Sequence, residues 1–235
     1  GTGSSILLNI GSELLVPQDG LVTTLAWTRG GKPTSAMEGI MISSGATLSW
    51  LKDHLGRFHD IAEVEAVARS LDDNGGVYLV PAFAGLGLPY WKAEAKAAIV
   101  GLSAHSDRRH VVRAGLESIA YQIHDALGAM RDASGVKLKR LHADGGPTAN
   151  SFLMQLVADL CDLEIAVARV PECSPLGATL AGMVGMGHVH GPEDLPRDEG
   201  TDTMLKPGME PDERKHRLRG WREAVSQTIA TPNSS

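Results

Sequence analysis

The chain has 235 residues, of which 43% are hydrophobic and 21% charged, and its formal net charge is −6. Such a chain can bury a real core, which is typical of a globular protein, and no apolar run is long enough to span a membrane. The negative charge argues against nucleic acid or an anionic membrane as a partner, because either would need a basic face.

The first part of the chain predicts strands that are followed by helices. Segments that alternate or are rich in β-forming side chains predict an antiparallel meander over residues 6–10, 20–27 and 34–38. Apolar residues at helical spacing then predict helices over residues 45–55 and 61–71. A strand is predicted over residues 77–80.

An apolar loop, residues 81–91, follows this strand and contains two prolines, two glycines and three aromatic side chains. A loop of this composition must be packed against the protein. We therefore expect Phe83, Tyr90 and Trp91 to lie in the core.

A strand over residues 97–102 leads to the longest predicted helix, which runs from residue 107 to about residue 131. Ser106 is its predicted cap, and Gly135 is predicted to end it. Apolar residues at steps of three and four predict a buried face of Val112, Leu116, Ile119, Ala120, Ile123, Leu127 and Met130. The arginines near its start are interpreted as a solvated face: Arg108, Arg109 and Arg113.

The sequence pattern centres on a strand over residues 140–143, a glycine turn and a helix over residues 152–160. Glycine has no Cβ and tolerates positive φ, so the backbone of Gly145 and Gly146 can approach a ligand closely. The N–H groups at the helix start would suit a phosphate. An ordinary tight connection between a strand and a helix is the alternative, and the local pattern does not decide between them.

The last part of the chain completes an alternation of strands and helices. We predict a strand over 163–168, a helix over 176–186, a polar loop over 191–212 and a closing helix over 212–229. Small residues in the first of these helices predict close packing against a neighbour. The order indicates an α/β domain with a mixed sheet covered by helices.

Cysteine and histidine spacings give no signal for a metal or redox site. Cys161 and Cys173 fall in no zinc or redox motif, so we expect reduced thiols in a cytoplasmic protein. His188 and His190 stand as an isolated pair, whereas zinc normally needs three or four protein ligands. The chain begins Gly-Thr-Gly without a methionine, which suggests a piece of a longer protein.

Nine segments together resemble the carboxyl-terminal half of the FGGY carbohydrate kinases, and most closely the glycerol kinases of that family. They are residues 1–3, 20–24, 79–83, 85–91, 101–102, 114–122, 144–150, 175–181 and 220–225, and they occur in the family's order. The resemblance implies an actin-like ATPase domain of the ribonuclease H type that comprises residues 1–235. It also implies a second, N-terminal sugar-binding domain of the same kinase, which this chain does not include.

The resemblance implies transfer of the γ-phosphate of ATP, with Mg²⁺, to a polyol or sugar hydroxyl by a homodimer or homotetramer. Thr2 would contact the γ-phosphate; the alternative for the Gly-Thr-Gly is a flexible end without a role. Gly45 would lie against the adenosine, with Ser49 near the adenine. Gly146, with Gly145 beside it, and Asn150 would hold the α-phosphate side and the purine.

Asp144 is a candidate for ordering magnesium-bound water, but a turn-capping carboxylate explains it at least as well. Three residues depart from the family pattern. Ser5 replaces an aromatic ring against glycerol, which leaves room for a larger or more polar substrate. Ser49 replaces a glutamine, and Lys92 replaces an aspartate.

The resemblance also implies that the general-base aspartate lies upstream, so no catalytic residue is expected in this chain and the chain alone should be inactive. A non-catalytic actin-like module that binds nucleotide or serves as a scaffold is the alternative. A dinucleotide-dependent oxidoreductase is disfavoured, because Gly145-Gly146 lacks the G-x-G-x-x-G spacing and the opening is not a βαβ unit.

Overall fold

The computed structural model describes residues 2–16, 20–56, 58, 60, 62–170, 172–191, 194 and 203–230. Its strands are β1 (Ser4–Gly11), β2 (Leu21–Arg29), β3 (Lys32–Met41), β4 (Tyr78–Val80), β5 (Ala98–Val100), β6 (Arg140–Ala143), β7 (Glu164–Val167) and β8 (Thr203–Leu205). Its α-helices are α1 (Gly45–Asp53), α2 (Glu63–Arg69), α3 (Arg108–Ser134), α4 (Ser151–Cys161), α5 (Cys173–Gly185) and α6 (Pro211–Ala230). None of the described helices is both long and apolar enough to cross a membrane.

The first three strands form the antiparallel sheet that the sequence predicts, in the order β1-β3-β2. Gly30 and Gly31, with φ of 55° and 73°, make the tight turn that returns β2 into β3. The remaining strands form a β4-β5 pair and a sheet β6-β7-β8, in which β6 and β7 are parallel. Instead of one mixed sheet, the described strands form three small sheets, and the sheet β6-β7-β8 contains both parallel and antiparallel pairs.

Helix α3 is the element on which the rest of the domain packs. Its N-cap is Asp107, whose carboxylate accepts the N–H of Arg109, so the prediction of Ser106 as the cap is wrong by one residue. Ser106 instead accepts the N–H of Ser103. Gly135 ends the helix in the left-handed conformation, as predicted.

The predicted buried face of α3 is confirmed, with Ile123 partly exposed. Residues from α1, α3, α4, α6 and β4 share the larger apolar cluster. A smaller cluster joins the far half of α3 to the first sheet through Met37, Leu127 and Met130. Close packing of α1 on α3 requires Gly115, because a Cβ there would lie 2.4 Å from Leu51 Cδ1.

Arg113 is buried, so its interpretation as part of a solvated face is wrong. The side chain is 4% exposed and its Nε lies 2.7 Å from Glu117 Oε1, which is also buried. Arg113 belongs to the inward surface of α3, where Glu117 balances the charge of the buried guanidinium. Arg108 and Arg109 are exposed, as predicted.

The loop over residues 81–91 packs differently from the prediction. Phe83 and Trp91 are 37% and 65% exposed, so the expectation of core packing is wrong for both. Trp91 lies against Gly20 on the surface, where a Cβ on that glycine would lie 2.4 Å from the indole. Tyr90 is partly buried, and its hydroxyl donates to Asp125 Oδ2 at 2.6 Å.

The C-terminal part contains one element that the sequence pattern missed. Strand β8 lies in the segment predicted to be a loop, and at three residues it is too short to show alternation. Helix α5 has no buried residue, so its predicted close packing is not found among the described residues. Helix α6 is docked by Trp221, which is 1% exposed.

Candidate functional site

The first group of predicted site residues lies around the N-terminus of α1. The carbonyl oxygen of Thr2 accepts the N–H groups of Ser44 and Ala46, each at 3.1 Å. Because the Ser44 side chain does not cap α1, the Thr2 carbonyl satisfies this helix end instead. Thr2 and Gly45 are therefore neighbours in space.

The second glycine of the Gly-Thr-Gly, Gly3, lies where a larger residue would not fit. A Cβ on Gly3 would lie 2.4 Å from the carbonyl oxygen of Met41, at the end of β3. The chain before β1 is thus held against β3 and α1, which disfavours a flexible end as the reading of Thr2 and Gly3. Gly1 lies outside the described residues.

A cavity of about 590 Å³ opens beside Thr2 and is lined by Thr2, Ala46, Ser49, Trp50, Asp53, His54 and Phe83. The rings of Trp50 and Phe83 pack with their centroids 4.9 Å apart. Phe83 thus packs on Trp50 at the cavity wall and not in the core. A cavity that combines aromatic rings with polar side chains suits a flat, polar-edged ligand.

The second group is the glycine turn between β6 and α4. Gly145 has φ 97° and ψ 171°, a conformation that side chains other than that of glycine rarely adopt. Thr148 fastens the turn, because its N–H and hydroxyl both donate to the Gly145 carbonyl, at 3.1 and 2.7 Å. A Cβ on Gly145 or Gly146 would meet nothing within 4 Å, so bare backbone faces open space.

Asn150 is the N-cap of α4, and its Oδ1 accepts the N–H of Leu153 at 2.9 Å. The carboxylate of Glu65 accepts the N–H of Ser151 at 3.1 Å. The N–H groups of Ser151 and Leu153 at this helix start therefore already have side-chain acceptors. The side-chain NH₂ of Asn150 is the part of that amide that can still donate to a ligand.

Asp144 is exposed, and its Oδ2 accepts the N–H of Cys173, the first residue of α5, at 2.9 Å. This contact satisfies the start of α5 and is not the turn-capping bond that the alternative for Asp144 would make. Within the described ranges, no three His, Cys, Asp or Glu side chains are grouped so that they could hold a metal ion, and His188 and His190 do not form part of such a site.

Ser5 lies on the outer face of the first sheet, opposite Ile40, and its hydroxyl donates to Glu38 Oε1 at 2.6 Å. Lys92 is exposed, and its backbone exchanges two 2.8 Å hydrogen bonds with Leu86. The structure thus brings Thr2, Gly45 and Ser49 together around α1, whereas Gly145, Gly146 and Asn150 form a separate group at the start of α4.

Two features of these surroundings were not predicted. The aromatic cavity wall joins Trp50 of α1 to Phe83 of the loop over residues 81–91, and nothing in the sequence indicates that these two rings meet. The contacts from Glu65 and Arg69 in α2 to Ser151 had no sequence signal, because an exposed glutamate and arginine four residues apart are common on any helix.

Comparisons with known proteins give a consistent result. Residues 1–186 match the model of the C-terminal domain of the FGGY family of carbohydrate kinases. The glycerol kinase of Shewanella oneidensis is 43% identical over 228 residues, which are 97% of this chain and 46% of that protein. The glycerol kinase of Rhizorhabdus wittichii is 42% identical over 230 residues, 97% of this chain and 45% of that protein.

Solved structures agree with the sequence comparison. A crystal structure of Plasmodium falciparum glycerol kinase with ADP superposes with a TM-score of 0.90 at 30% identity, over 99% of this chain and 46% of that one. A xylulose kinase from Lactobacillus acidophilus shares the fold, with a TM-score of 0.79 at 18% identity, over 97% of this chain and 47% of that one. The fold is thus the predicted actin-like ATPase fold, and the chain spans about half the length of the curated relatives it matches.

Proposed function

We propose that this chain, which belongs to the FGGY family of carbohydrate kinases, is the nucleotide-binding half of an ATP-dependent kinase for a polyol or sugar hydroxyl. The observation that carries the proposal is the 43% identity to a glycerol kinase over 97% of the chain. The similarity to a glycerol kinase structure with ADP over 99% of the chain supports it.

Nucleotide recognition is divided between the two groups of residues. Gly145 and Gly146 offer backbone without steric hindrance, so they hold the α-phosphate side of the nucleotide. Asn150 contacts the purine, and because its Oδ1 is occupied by Leu153, its NH₂ donates to an acceptor nitrogen of the base.

Thr2, Gly45 and Ser49 form the other part of the nucleotide site. Thr2 contacts the γ-phosphate, Gly45 lies against the adenosine, and Ser49 lies near the adenine. The support is geometric: Thr2 is fixed against the start of α1, and Thr2 and Ser49 both line the aromatic cavity. A serine at position 49 reaches less far than the glutamine of related kinases.

Magnesium binds mainly through the phosphates of the nucleotide. The described residues offer no cluster of metal ligands, and Mg²⁺ commonly takes one or two carboxylates, water and substrate phosphates. Among the described residues, Asp144 is an exposed carboxylate beside the glycine turn that fits such a site, through ordered water. When bound, Mg²⁺ neutralises charge on the transferring phosphate.

An N-terminal domain of the same kinase completes the enzyme. It supplies the general-base aspartate and most of the substrate pocket, so this chain contributes no catalytic residue. The chain comprises one domain over residues 1–235, because α6 is docked into the core by Trp221 beyond the part that the family model matches. The whole enzyme is a cytoplasmic homodimer or homotetramer.

The substrate is larger or more polar than glycerol. Ser5 leaves more space than an aromatic ring, and its hydroxyl bond to Glu38 adds a carboxylate to the same open face of the sheet. Both side chains can therefore bind hydroxyl groups of a substrate.

A pair of assays tests this function. The isolated chain should bind ADP weakly in calorimetry and phosphorylate none of a panel of polyols and ketoses, whereas the full-length protein should phosphorylate at least one. Turnover by the isolated chain would contradict the missing base. A full-length protein that binds ADP but phosphorylates nothing would favour the non-catalytic module instead.

A further inference from the structure

The start of α4 is held by two side chains of α2. Glu65 Oε2 accepts the N–H of Ser151 at 3.1 Å, and Glu65 Oε1 accepts the Ser151 hydroxyl at 2.6 Å. Arg69 donates to the same hydroxyl at 2.9 Å and to Glu65 Oε1 at 2.9 Å. Ser151 directly follows Asn150, so this network ends one residue from the amide that the proposed function assigns to the purine.

Glu65 also supplies what the helix end needs electrostatically. An α-helix carries partial positive charge at its N-terminus and leaves its first N–H groups without intrahelical partners. Asn150 satisfies the N–H of Leu153, and Glu65 satisfies the N–H of Ser151. The Ser151 hydrogen bond is the main cause of a lowered pKa at Glu65, so this carboxylate is charged at neutral pH.

Helix α2 is itself held by hydrogen bonds from Arg113 of α3. The Arg113 guanidinium donates to the carbonyl groups of Ala68, Leu71 and Asp72, at and beyond the last turn of α2. Because Arg113 is buried and paired with Glu117, α2 has a rigid attachment to α3. Glu65 and Arg69 therefore face α4 from a helix that is hydrogen-bonded to a buried side chain of α3.

A ring in α4 adds a second contact. The guanidinium carbons of Arg69 and Arg113 lie 5.5 and 5.2 Å from the centroid of the Phe152 ring. Both distances are within the range of cation–π attraction. The residue after Ser151 is thus also held by α2 and α3.

We propose that Glu65 and Arg69 are positioning residues that fix the Asn150 amide for purine binding by fixing Ser151. The inference rests on the proposed function of Asn150 and goes beyond it, because neither residue would touch the nucleotide. Without Glu65, the first turn of α4 would lose two hydrogen bonds, and the Asn150 amide would sample orientations that do not match the base.

Two probes separate positioning from general damage. ADP carries the purine that Asn150 would contact, whereas pyrophosphate carries none. In the full-length protein, Glu65→Ala should weaken ADP binding about fivefold to tenfold, as expected for a lost network of charge-assisted hydrogen bonds. Pyrophosphate affinity should change by less than about twofold, because the glycine turn remains.

The variants include a graded rescue and a matched control. Glu65→Gln keeps an acceptor oxygen and should recover part of the ADP affinity. Arg69→Met should weaken ADP binding less than Glu65→Ala, because the Ser151 N–H keeps its acceptor. Glu164→Ala removes another exposed glutamate–arginine pair, with Arg140 at 2.9 Å, beyond the far end of α4 from Ser151, and should leave both affinities unchanged.

A double-mutant cycle with Asn150→Ala provides the decisive result. If Glu65 acts through Asn150, Glu65→Ala should weaken ADP binding no further once Asn150 is alanine. Additive losses, equal losses for ADP and pyrophosphate, or unchanged ADP affinity in Glu65→Ala would overturn the positioning role. If Asn150→Ala itself leaves ADP affinity unchanged, the proposed purine contact fails, and the positioning role fails with it.

Discussion

Two glutamate–arginine pairs, each spaced four residues apart, have the same chemistry in opposite surroundings. The Arg113–Glu117 pair of α3 is 2.7 Å apart, with side chains 4% and 0% exposed. The Glu65–Arg69 pair of α2 is 2.9 Å apart, with side chains 26% and 52% exposed. Removing one partner of a buried ion pair costs much stability, because the other charge stays buried without compensation. In an exposed pair, water solvates the remaining charge, so the loss is small. The buried pair should therefore determine stability, and the exposed pair should act on the geometry of the site.

The largest expected effect is at Glu117, which accepts hydrogen bonds from four side chains: Arg113, Asn74, Tyr121 and Arg217. Glu117→Ala should lower the free energy of unfolding by about 3–5 kcal/mol, because it leaves the buried Arg113 charge without its partner. Urea denaturation followed by circular dichroism measures this loss.

The control is Glu213→Ala, which removes an exposed carboxylate 2.7 Å from Arg217. It should cost less than about 1 kcal/mol. Equal losses in the two variants would mean that burial does not separate the two kinds of pair.

The glycine turn between β6 and α4 depends on backbone conformation. Gly145→Ala should lower the free energy of unfolding by roughly 1–3 kcal/mol and weaken ADP binding, because Gly145 has φ 97°. Gly146→Ala should cost less stability, since that residue is not in the positive-φ region and has open space beside it. Its Cβ would enter the space that the proposed function gives to the nucleotide, so it should also weaken ADP binding. Thermal unfolding and calorimetry with ADP measure the two effects; an equal loss of stability at the two positions would contradict the role of the positive φ.

Much of the fold could be predicted because periodicity and turn chemistry act locally. The face of α3, the left-handed Gly135 and the glycine turn all follow from residue spacing. Where two neighbouring residues can both serve as caps, sequence cannot choose, and the structure uses Asp107 rather than Ser106. Strand β8 needs β7 as its partner and therefore shows no pattern of its own.

The charge networks were less predictable because they depend on contacts distant in sequence. Its position near Arg108 and Arg109 predicts an exposed side chain for Arg113. Arg113 instead lies on the inward side of the helix, four residues before Glu117. Glu65 and Arg69 reach Ser151, a partner more than 80 positions away. The glycine turn could be predicted from the sequence, but the side chains that hold the start of α4 required the fold.

Tyr90 gives an intermediate case, a neutral donor to a largely buried carboxylate. Asp125 Oδ2 accepts from the Tyr90 hydroxyl at 2.6 Å and from Trp221 Nε1 at 2.7 Å. Burial, then the charge of Asp125, raises the pKa of Tyr90, so the hydroxyl stays a donor in alkaline solution. Tyr90→Phe should cost about 1–2 kcal/mol, because Asp125 keeps Trp221 as a donor.

Denaturation of Tyr90→Phe beside Asp125→Ala measures this difference. The second variant should lose more, because it leaves both the hydroxyl and the indole N–H without their acceptor. A smaller loss of stability for Asp125→Ala would show that the two hydrogen bonds do not offset the cost of burying the carboxylate.

The smallest effect on stability is expected at Glu65, for which Glu65→Gln should cost about 0.2–1 kcal/mol near neutral pH. The hydrogen bond from Ser151 is the main cause that lowers the pKa of Glu65 from its usual value of 4.5. A lowered pKa in the folded state means that the ionised carboxylate stabilises the fold above the unfolded-state pKa. That contribution is lost as pH falls through the folded-state value.

The difference in unfolding free energy between the wild type and Glu65→Gln should therefore be full at neutral pH and shrink below pH 4.5. Denaturation series between neutral and acid pH, with Glu164→Gln as the exposed control, measure this change. A difference that stays constant with pH would mean that Glu65 acts through shape rather than charge. In that case, the stability difference would have to be assigned to packing near Phe152 and not to the charge of Glu65.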